Sequence, residues 1–301
     1  MSPHNMAGSR LWSDAKGTNS MCRFALYLGD EITVGSLVTD PEYSILHQSF
    51  HSHERSEPLN GDGFGIAWYP DRSTEPAVFK EVYPAWNSLN LRNLARVTRA
   101  RCVLAHVRAA TPGLPVTQLN CHPFSWGPLT FMHNGHVGGF LRIKKRLVTE
   151  LREQTFLELQ GSTDSEHVFA LVKEAWTEAA DDGLSRLTTA LRAAIERVET
   201  MRRTAGIDEP SLLNLVLCDG ARAVVSRYTS DPRESANSLY LHVGRAYVCE
   251  GGVCRMVDPD MSSGAVIVAS EPLSSDPGWE KVPENHLVTV DQDLRTAVVP
   301  V

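Results

Sequence analysis

The stretch Met21-Cys22-Arg23-Phe24-Ala25-Leu26-Tyr27 begins an apolar segment after twenty residues of mostly polar character. Removal of the Met would leave Cys22 with a free α-amino group, so that one residue would carry both a nucleophile and a base. An α-amine titrates at about 7.7–8.0 and a Cys thiol at about 8.5, so the amine can take the thiol proton and the thiolate can attack a carbonyl. The alternative is an internal dipeptide at a strand start, with Cys22 a small buried hydrophobic residue.

The segment before this stretch differs from the rest of the chain. Residues 1–20 are polar and aperiodic, with no pattern that could bury a face. We expect residues 1–21 to be a disordered leader, a tag or a removable segment, and residues 22–301 to form one domain. If the leader stays attached, the nitrogen of Cys22 lies in a peptide bond and cannot act as a base.

Composition excludes several classes of protein. The chain has 301 residues, 42% of them hydrophobic, and a formal net charge of -7, which disfavours nucleic acid and anionic membranes as partners. No apolar run approaches the roughly 20 residues that span a bilayer, and no secretory signal is visible. The chain is therefore expected in the cytoplasm.

Cysteine usage supports the same compartment. The chain has six cysteines and no C-x-x-C pair, so we expect reduced thiols, one reactive and five structural. Cys249 and Cys254 could face each other across a hairpin at Gly251-Gly252, but we do not expect a functional bridge there.

The order of periodic segments predicts the fold class. Alternating or continuous apolar runs predict strands over residues 24–28, 63–69, 77–82, 102–108, 129–133, 212–217, 223–227, 239–243, 265–269 and 287–290. Helical periodicity predicts a short helix near residues 89–97 and two longer helices near 164–176 and 184–198. Strands, then helices, then strands indicate an α+β fold, a four-layer αββα sandwich of two mostly antiparallel sheets with outer helices.

Two predicted strand ends carry polar groups that suit an active site. Arg108 ends the first strand, in HVRAATPG, and can present a planar fork to a carboxylate through two charge-assisted hydrogen bonds. Asn134-Gly135 ends the second, where a side-chain amide and a Gly N–H can point at a developing oxyanion. The alternatives are a surface salt bridge for Arg108 and an ordinary hairpin turn for Asn134-Gly135.

Two further motifs precede regular elements. In residues 162–166 (STDSE), the Ser or Thr could cap the following helix while Glu166 completes a capping box. Asp164 would then only favour the helix dipole. Residues 60–65 (NGDGFG) predict a tight turn that feeds a core strand, and we assign Asp62 and its glycines a structural role.

Together and in this order, the motifs resemble the glutaminase domain of class II glutamine amidotransferases, which are N-terminal nucleophile (Ntn) hydrolases. The resemblance extends from Met21 to the C-terminus and is strongest to the group that contains the amidotransferase-like subunit of the fungal glutathione-degradation complex. It rests on the ordered phrases NGDGFGIAWYP, AHVRAATPG, NCHPF, FMHNGHV, GSTDSE, SLLN with VVSRY, and VASEPL, headed by Met-Cys-Arg. It implies the Ntn-hydrolase fold.

The resemblance also implies catalytic roles. Cys22 matches the nucleophile, with its own α-amine as the base. Asn134 and the N–H of Gly135 match the oxyanion hole. The implied reaction is hydrolysis of a γ-glutamyl amide bond through a γ-glutamyl thioester, on glutathione or a related γ-glutamyl compound.

Substrate-binding roles follow from the same resemblance. Arg108, helped by the Thr111 region, is expected to hold the α-carboxylate of the substrate, and Asp164 its α-ammonium. The amidotransferases that make glucosamine phosphate carry Trp and then Ala-Thr-His after the matching Arg, whereas this chain has Ala-Ala-Thr-Pro at residues 109–112. The additional contacts of those enzymes are therefore not expected here.

Three alternative functions remain open. The chain could be a glutaminase that delivers ammonia to a partner synthase, a γ-glutamyl hydrolase of ergothioneine-type thiol biosynthesis, or a non-catalytic scaffold subunit with a blocked N-terminus. A partner peptidase or synthase subunit is compatible with these readings.

No cofactor and no metal are expected. His51 and His53 form an H-x-H pattern that lacks carboxylates in register. His106, His122 and His133 are expected to satisfy polar groups around the site.

Overall fold

The computed structural model describes residues 22–52, 59–110, 115–250, 253–258 and 264–301. Its strands, in chain order, are β1 (Arg23–Thr33), β2 (Phe64–Trp68), β3 (Ala77–Glu81), β4 (Arg99–Val107), β5 (Phe124–Trp126), β6 (Leu129–His136), β7 (Leu212–Cys218), β8 (Ala223–Arg227), β9 (Tyr240–Gly244), β10 (Ala246–Glu250), β11 (Val253–Val257), β12 (Ala265–Ala269), β13 (Glu280–Lys281), β14 (His286–Val290) and β15 (Thr296–Pro300). Its helices are α1 (Gly35–Val38), α2 (Ile45–Gln48), α3 (Leu89–Val97), α4 (Phe140–Thr149), α5 (Glu153–Leu157), α6 (Asp164–Glu178) and α7 (Gly183–Thr204).

Two large sheets form the centre of the fold. The first has seven strands in the order β13-β9-β12-β1-β4-β2-β3, and the second has six in the order β15-β14-β8-β7-β6-β5. A separate hairpin pairs β10 with β11. The pairings around the site, β1 with β12 and β4 and β6 with β7, are antiparallel, as the sequence predicted.

Alternation along β1 shows how the layers are arranged. Phe24, Leu26 and Leu28 enter the core between the two sheets, whereas Ala25 and Tyr27 face the opposite side. Apolar residues of α1, α2 and α3 cover that opposite side of the seven-stranded sheet. Helices α4, α6 and α7 cover the outer face of the six-stranded sheet. The predicted four-layer α+β sandwich is therefore confirmed.

The long helices bury the faces that the sequence indicated. Leu187, Leu191, Ile195 and Val198 of α7 are all buried against the six-stranded sheet, as a 3.6-residue period requires. Helix α4 was not predicted. Within the described ranges, no helix has the length and apolar character needed to cross a membrane.

The expectation of six reduced cysteines is wrong for two of them. Cys249 and Cys254 form a disulfide. The reason is the register of the β10–β11 hairpin, which sets the two residues directly opposite each other, with their Cα atoms 4.0 Å apart. The other four cysteines remain thiols.

The core of the six-stranded sheet gives a test of the packing. Phe131 is fully buried and its ring stacks on that of Phe169, with centroids 5.1 Å apart. Phe131→Ala should lower the free energy of unfolding by about 3–5 kcal/mol, because it removes buried apolar surface and leaves a cavity. Leu141→Ala on α4, where Leu141 is 79% exposed, should stay within about 0.5 kcal/mol of wild type. Urea unfolding followed by circular dichroism measures both, and equal losses would contradict the assignment of this core.

Candidate active site

The pairing of β1 with β4 places Cys22 beside Arg108. Arg23 lies opposite Val107 in the antiparallel register, so the residue before β1 adjoins the residue after β4. Cys22 is half-buried, and its Sγ lies 3.7 Å from the carbonyl oxygen of Ala109. The proposed nucleophile and the proposed carboxylate-binding residue therefore lie side by side at the ends of two neighbouring inner strands of the seven-stranded sheet.

Arg108 is buried, so the surface salt-bridge alternative is wrong. Its side chain is only 4% exposed, and its Nη1 donates to the backbone oxygen of Asp62 over 3.5 Å. Among the described residues, no carboxylate lies within 4.0 Å of the guanidinium. A buried cation without an acidic partner is costly unless something else compensates it. This position therefore favours an anionic ligand.

The turn at residues 60–63 holds the chain that follows Arg108. Asp62 accepts a hydrogen bond from the backbone N–H of Ala110 through Oδ2, over 2.8 Å, and Gly63 accepts one from the N–H of Arg108. Gly63 has a φ of +118°, and a Cβ there would lie 2.7 Å from Sγ of Cys121. Asp62 and Gly63 thus have the structural roles expected of them. Thr111, predicted to help Arg108, lies outside the described residues, as does His53.

Asn134 and Gly135 lie within a strand, so the hairpin-turn alternative is wrong. Strand β6 continues to His136, and Asn134 pairs with Asn214 of β7. Gly135 has a φ of +146°, and a Cβ there would lie 1.8 Å from the carbonyl oxygen of Leu212. Only glycine fits this close approach of two backbones. The Asn134 side chain is buried, and its Nδ2 lies 3.3 Å from Oγ of Ser270.

Asp164 is the first residue of α6 and faces the end of β6. Its Oδ2 accepts a hydrogen bond from the N–H of Val137 over 2.8 Å, and its Oδ1 accepts one from the N–H of Ser165 over 2.8 Å. No described cationic side chain lies within 4.0 Å of this carboxylate. The position suits a cationic group of a ligand.

The start of α6 confirms one capping prediction and corrects another. Oγ1 of Thr163 accepts from the N–H of Glu166 over 3.2 Å and caps the helix. The Glu166 carboxylate does not complete a capping box. It accepts instead from the N–H groups of Gln160 and Gly161, over 2.8 and 2.7 Å, because the loop before the helix folds back over it.

Two hydrogen-bonded links bring the strand ends of the two sheets together. Nε2 of His106 on β4 lies 3.2 Å from the carbonyl oxygen of His133 on β6. Oγ of Ser270, after β12, lies within hydrogen-bonding distance of both the Phe24 N–H and the Asn134 amide. Since Asp164 contacts the residues just after β6, the structure gathers the described candidate residues at one place.

An ion pair absent from the predicted site holds the backbone beside the proposed nucleophile. Arg23 and Glu271 are both buried, with Nε and Oε1 2.6 Å apart. Arg23 also donates to Oγ of Ser52 over 2.8 Å and, through Nη1, to the carbonyl oxygen of Cys22 over 3.0 Å. A charged residue at the start of an apolar run signals such a contact, but its partner is 248 residues away in sequence.

The three histidines near the site differ in how they are satisfied. His133 donates through Nε2 to the Leu212 carbonyl and accepts at Nδ1 from the Ser165 hydroxyl, over 3.0 and 2.9 Å. His106 donates through Nε2, but its Nδ1 has no described partner. The prediction of satisfied polar groups is wrong for His122, because neither ring nitrogen has a described partner. That ring packs instead against His106 and Phe124.

Burial keeps these rings neutral. Desolvation lowers the pKa of His106 to about 3 and the pKa of His122 well below its usual value, and it also lowers the pKa of His133. Burial raises the pKa of the nearby Cys121 thiol, so that thiol stays protonated. These four groups are poorly suited to act as a base or a nucleophile near neutral pH.

Comparison with known proteins identifies the family. Residues 37–248 match the model of the class-II glutamine amidotransferases. The chain belongs to this family. It is 39% identical over 293 residues to a probable glutamine amidotransferase, DUG3, of Saccharomyces cerevisiae, covering 90% of this chain and 82% of that protein. The resemblance found in the sequence is thereby confirmed, and the chain is an enzyme of this family.

Two further relatives extend the comparison. The γ-glutamyl-hercynylcysteine sulfoxide hydrolase of Mycolicibacterium smegmatis is 28% identical over 281 residues, covering 93% of this chain and all of that protein. The structure of a glutamine aminotransferase class-II domain protein from Silicibacter pomeroyi superimposes with a TM-score of 0.63 at 27% identity, covering 93% of this chain and 99% of the other. The Ntn-hydrolase fold is confirmed.

The neutral histidines predict a pH dependence of stability. Below about pH 6.5 the unfolded chain protonates these rings while the folded chain does not, so the free energy of unfolding falls as pH falls. For His106 the loss continues down to its folded pKa of about 3. Each such ring contributes a slope of about 1.4 kcal/mol per pH unit within its window.

His122→Phe tests this account at the ring without described polar partners. The variant keeps the aromatic packing and should reduce the slope below pH 6.5 by about 1.4 kcal/mol per pH unit, while changing little above it. Urea unfolding at about pH 7.5, 6 and 5 measures the difference. Parallel curves for wild type and variant across this range would contradict the prediction.

Proposed function

We propose that this enzyme hydrolyses the γ-glutamyl amide bond of glutathione or a related γ-glutamyl compound, with Cys22 as an N-terminal nucleophile. The observation that supports the proposal most is the pair of opposite charges at the site. Arg108 is a buried guanidinium without a described carboxylate partner, and Asp164 is a carboxylate without a described cationic partner. A γ-glutamyl head carries an α-carboxylate and an α-ammonium, which complement these two side chains.

The proposed chemistry uses groups of a single chain. The α-amine of Cys22 takes the thiol proton, and the sulfur attacks the γ-carbonyl carbon. Asn134 and the N–H of Gly135 stabilise the negative oxygen of the tetrahedral intermediate. The C–N bond then breaks, the amine leaves with the proton from the α-ammonium, and a γ-glutamyl thioester remains. Water attacks the thioester, releasing glutamate and restoring the thiol.

The identity of the leaving amine rests on the relatives. One of them is named a γ-glutamyl-hercynylcysteine sulfoxide hydrolase and aligns over its whole length, which supports a cysteine-derived leaving amine such as that of glutathione. The name of another relative, a probable glutamine amidotransferase, supports glutamine as the second candidate. In that case the released ammonia would pass to a partner synthase. With glutathione, a partner peptidase would consume the released dipeptide.

The proposed base acts only when Cys22 is the first residue of the mature chain. An N-terminal Cys22 leaves its nitrogen as an amine, whereas any preceding residue converts it to an amide that cannot accept the proton. The non-catalytic alternative corresponds to a mature chain in which other residues still precede Cys22. The two states differ in mass and in their first residue.

Cys22→Ala should abolish glutamate release from glutathione, γ-glutamylcysteine and glutamine, because the attacking atom is gone. Cys121→Ala is the matched control, since its thiol is close to Arg108 but buried and protonated, and it should retain most of the activity. The rate of glutamate release is measured for the wild-type protein that begins at Cys22, as verified by its intact mass. The same rate is measured for a protein that carries an uncleavable extension before Cys22.

Three results would contradict the proposal. They are full activity of Cys22→Ala, equal activity of the extended chain, and labelling of a cysteine other than Cys22 by a γ-glutamyl diazo ketone. The ratio of rates on the three substrates identifies the leaving group.

The charged residues predict a second outcome. Arg108→Gln should lower kcat/KM for γ-glutamyl substrates by about thirty-fold or more, corresponding to the roughly 2–5 kcal/mol lost when one partner of a buried charge pair is removed. It should change little for a γ-aminobutyryl amide, which lacks the α-carboxylate. Asp164→Asn should likewise lower kcat/KM for γ-glutamyl substrates. It should change kcat/KM little for a glutaryl amide, which lacks the α-ammonium.

Matched controls lie on the same elements. Arg101→Gln is on β4 and Glu178→Gln is at the other end of α6, where both side chains are exposed. Both should leave kcat/KM near wild type. Equal losses of Arg108→Gln on substrates with and without the α-carboxylate would contradict the assigned role.

A further inference from the structure

Ser270 occupies a junction between the nucleophile strand and the proposed oxyanion donor. It follows β12 directly and its side chain is fully buried. Its Oγ accepts a hydrogen bond from the N–H of Phe24 over 3.1 Å, and it lies 3.3 Å from the near atom of the Asn134 amide. Phe24 is two residues from Cys22, so one hydroxyl contacts both halves of the proposed machinery.

The hydrogen bonds of this junction determine which way the Asn134 amide faces. With Nδ2 toward Ser270, the serine oxygen is an acceptor of two donors, and Oδ1 of Asn134 is buried without a described partner. A buried carbonyl without a hydrogen-bond donor is unfavourable, because it has lost its hydrogen bonds to water. The nitrogen and oxygen of an amide have nearly the same shape, so the hydrogen-bond network decides their assignment.

The opposite orientation gives the Ser270 hydroxyl an acceptor and Oδ1 of Asn134 a donor, and it leaves the amide N–H groups without a described partner and available to a ligand. Ser270 then still accepts from the Phe24 N–H and donates its own proton to Oδ1 of Asn134. The two N–H donors of Asn134 move to the side away from Ser270, in the position that Oδ1 would otherwise occupy. The proposed oxyanion hole requires an N–H donor from Asn134, and a carbonyl oxygen in its place would repel the developing charge.

We propose that Ser270 is a positioning residue that holds the Asn134 amide with its oxygen toward the serine hydroxyl and its N–H groups toward the reacting carbonyl. The proposal rests on the proposed function, in which Asn134 stabilises the oxyanion. It deepens that function by making the direction of the donor depend on a residue 136 positions away in sequence. Because Phe24 supplies the second hydrogen bond, the same hydroxyl sets the donor relative to the nucleophile strand.

Other contacts hold the remainder of this junction in place. Asn237 donates through Nδ2 to the backbone oxygen of Asn134 over 3.2 Å, and Ser238 donates to the backbone oxygen of Ser270 over 2.8 Å. Both contacts restrain backbones and neither involves the Asn134 amide. Ser270 is thus the described side chain that discriminates between the two orientations of the amide.

A double-mutant cycle tests the proposal. Asn134→Ala should lower kcat by about 10²–10³-fold, as the loss of one oxyanion donor does. Ser270→Ala should lower kcat by about 10²-fold with little change in KM, because the amide loses its fixed direction while the substrate contacts remain. In the Asn134→Ala background, Ser270→Ala should cost little more, since there is no amide left to orient.

Ser226→Ala is the matched control for the loss of a buried serine. Ser226 is fully buried, accepts from the N–H of Leu215 over 3.1 Å and donates to the carbonyl of Leu213 over 2.7 Å. Its replacement should lower stability as much as Ser270→Ala does but should leave kcat unchanged. If Ser270→Ala does not fold, Ser270→Cys keeps the volume with a weaker donor, and its kcat should be measurably reduced.

Neutron diffraction of the wild-type enzyme gives a readout that depends on no variant. After exchange into D₂O, two deuterons should be found on the Asn134 amide atom that faces away from Ser270. Deuterons on the atom facing Ser270 would overturn the proposal.

The kinetic outcomes distinguish the oxyanion role of Asn134 from the positioning role of Ser270. If Asn134→Ala leaves kcat unchanged, the oxyanion role is wrong and the role of Ser270 is wrong with it. If Asn134→Ala is slow but Ser270→Ala keeps the wild-type kcat, or if the two losses multiply in the double variant, only the positioning role is overturned.

Discussion

The register of β1 against β4 is the constraint on which the site depends. Arg23 opposite Val107 puts Cys22 next to Arg108, and the same register sends Phe24, Leu26 and Leu28 into the core between the sheets. A slip by one residue would turn these three side chains to the other face of the sheet. The apolar pattern that stabilises the fold therefore also fixes the distance between the proposed nucleophile and the cation beside it.

The charge that the site presents to a ligand depends on which buried side chains have an oppositely charged partner among the described residues. Arg23 is buried with Glu271, whereas Arg108 is buried with no described carboxylate nearby. The Arg23–Glu271 pair needs no ligand, since each charge compensates the other. Arg108 keeps a positive charge that a ligand can compensate. Asp164 carries a negative charge near the end of β6. Under the proposed function, specificity for a zwitterionic γ-glutamyl head arises from these two single charges, which the fold holds apart.

The sequence predicted those parts of the fold that local patterns encode. The strands at residues 223–227 and 265–269 and the apolar face of α7 follow directly from hydrophobic periodicity, because side-chain spacing alone decides which residues can be buried together. The cap at Thr163 was also predictable, since it depends on residues three positions apart. The family and its fold followed from the order of several short motifs.

Long-range contacts were not predictable in the same way. The disulfide depends on the pairing of two short strands, and the environment of His122 depends on packing between segments that the sequence does not show to be adjacent. Arg23 and Ser270 lie in the Met-Cys-Arg and VASEPL motifs, but their partners lie 248 and 136 residues away. A motif indicates that a residue matters, whereas only the fold shows which group it contacts.

The segment Ser270-Glu271 links the proposed nucleophile, Cys22, to the proposed oxyanion donor, Asn134. Ser270 contacts the Phe24 N–H and the Asn134 amide, and Glu271 binds Arg23, which in turn holds the carbonyl of Cys22. Both residues of this short segment therefore restrain the start of β1, and one of them also restrains the donor on β6. Since about 1 Å of misplacement can cost about a hundredfold in rate, a shared support is more precise than two independent ones. The geometry of the candidate site thus depends on a segment that belongs to neither β1 nor β6.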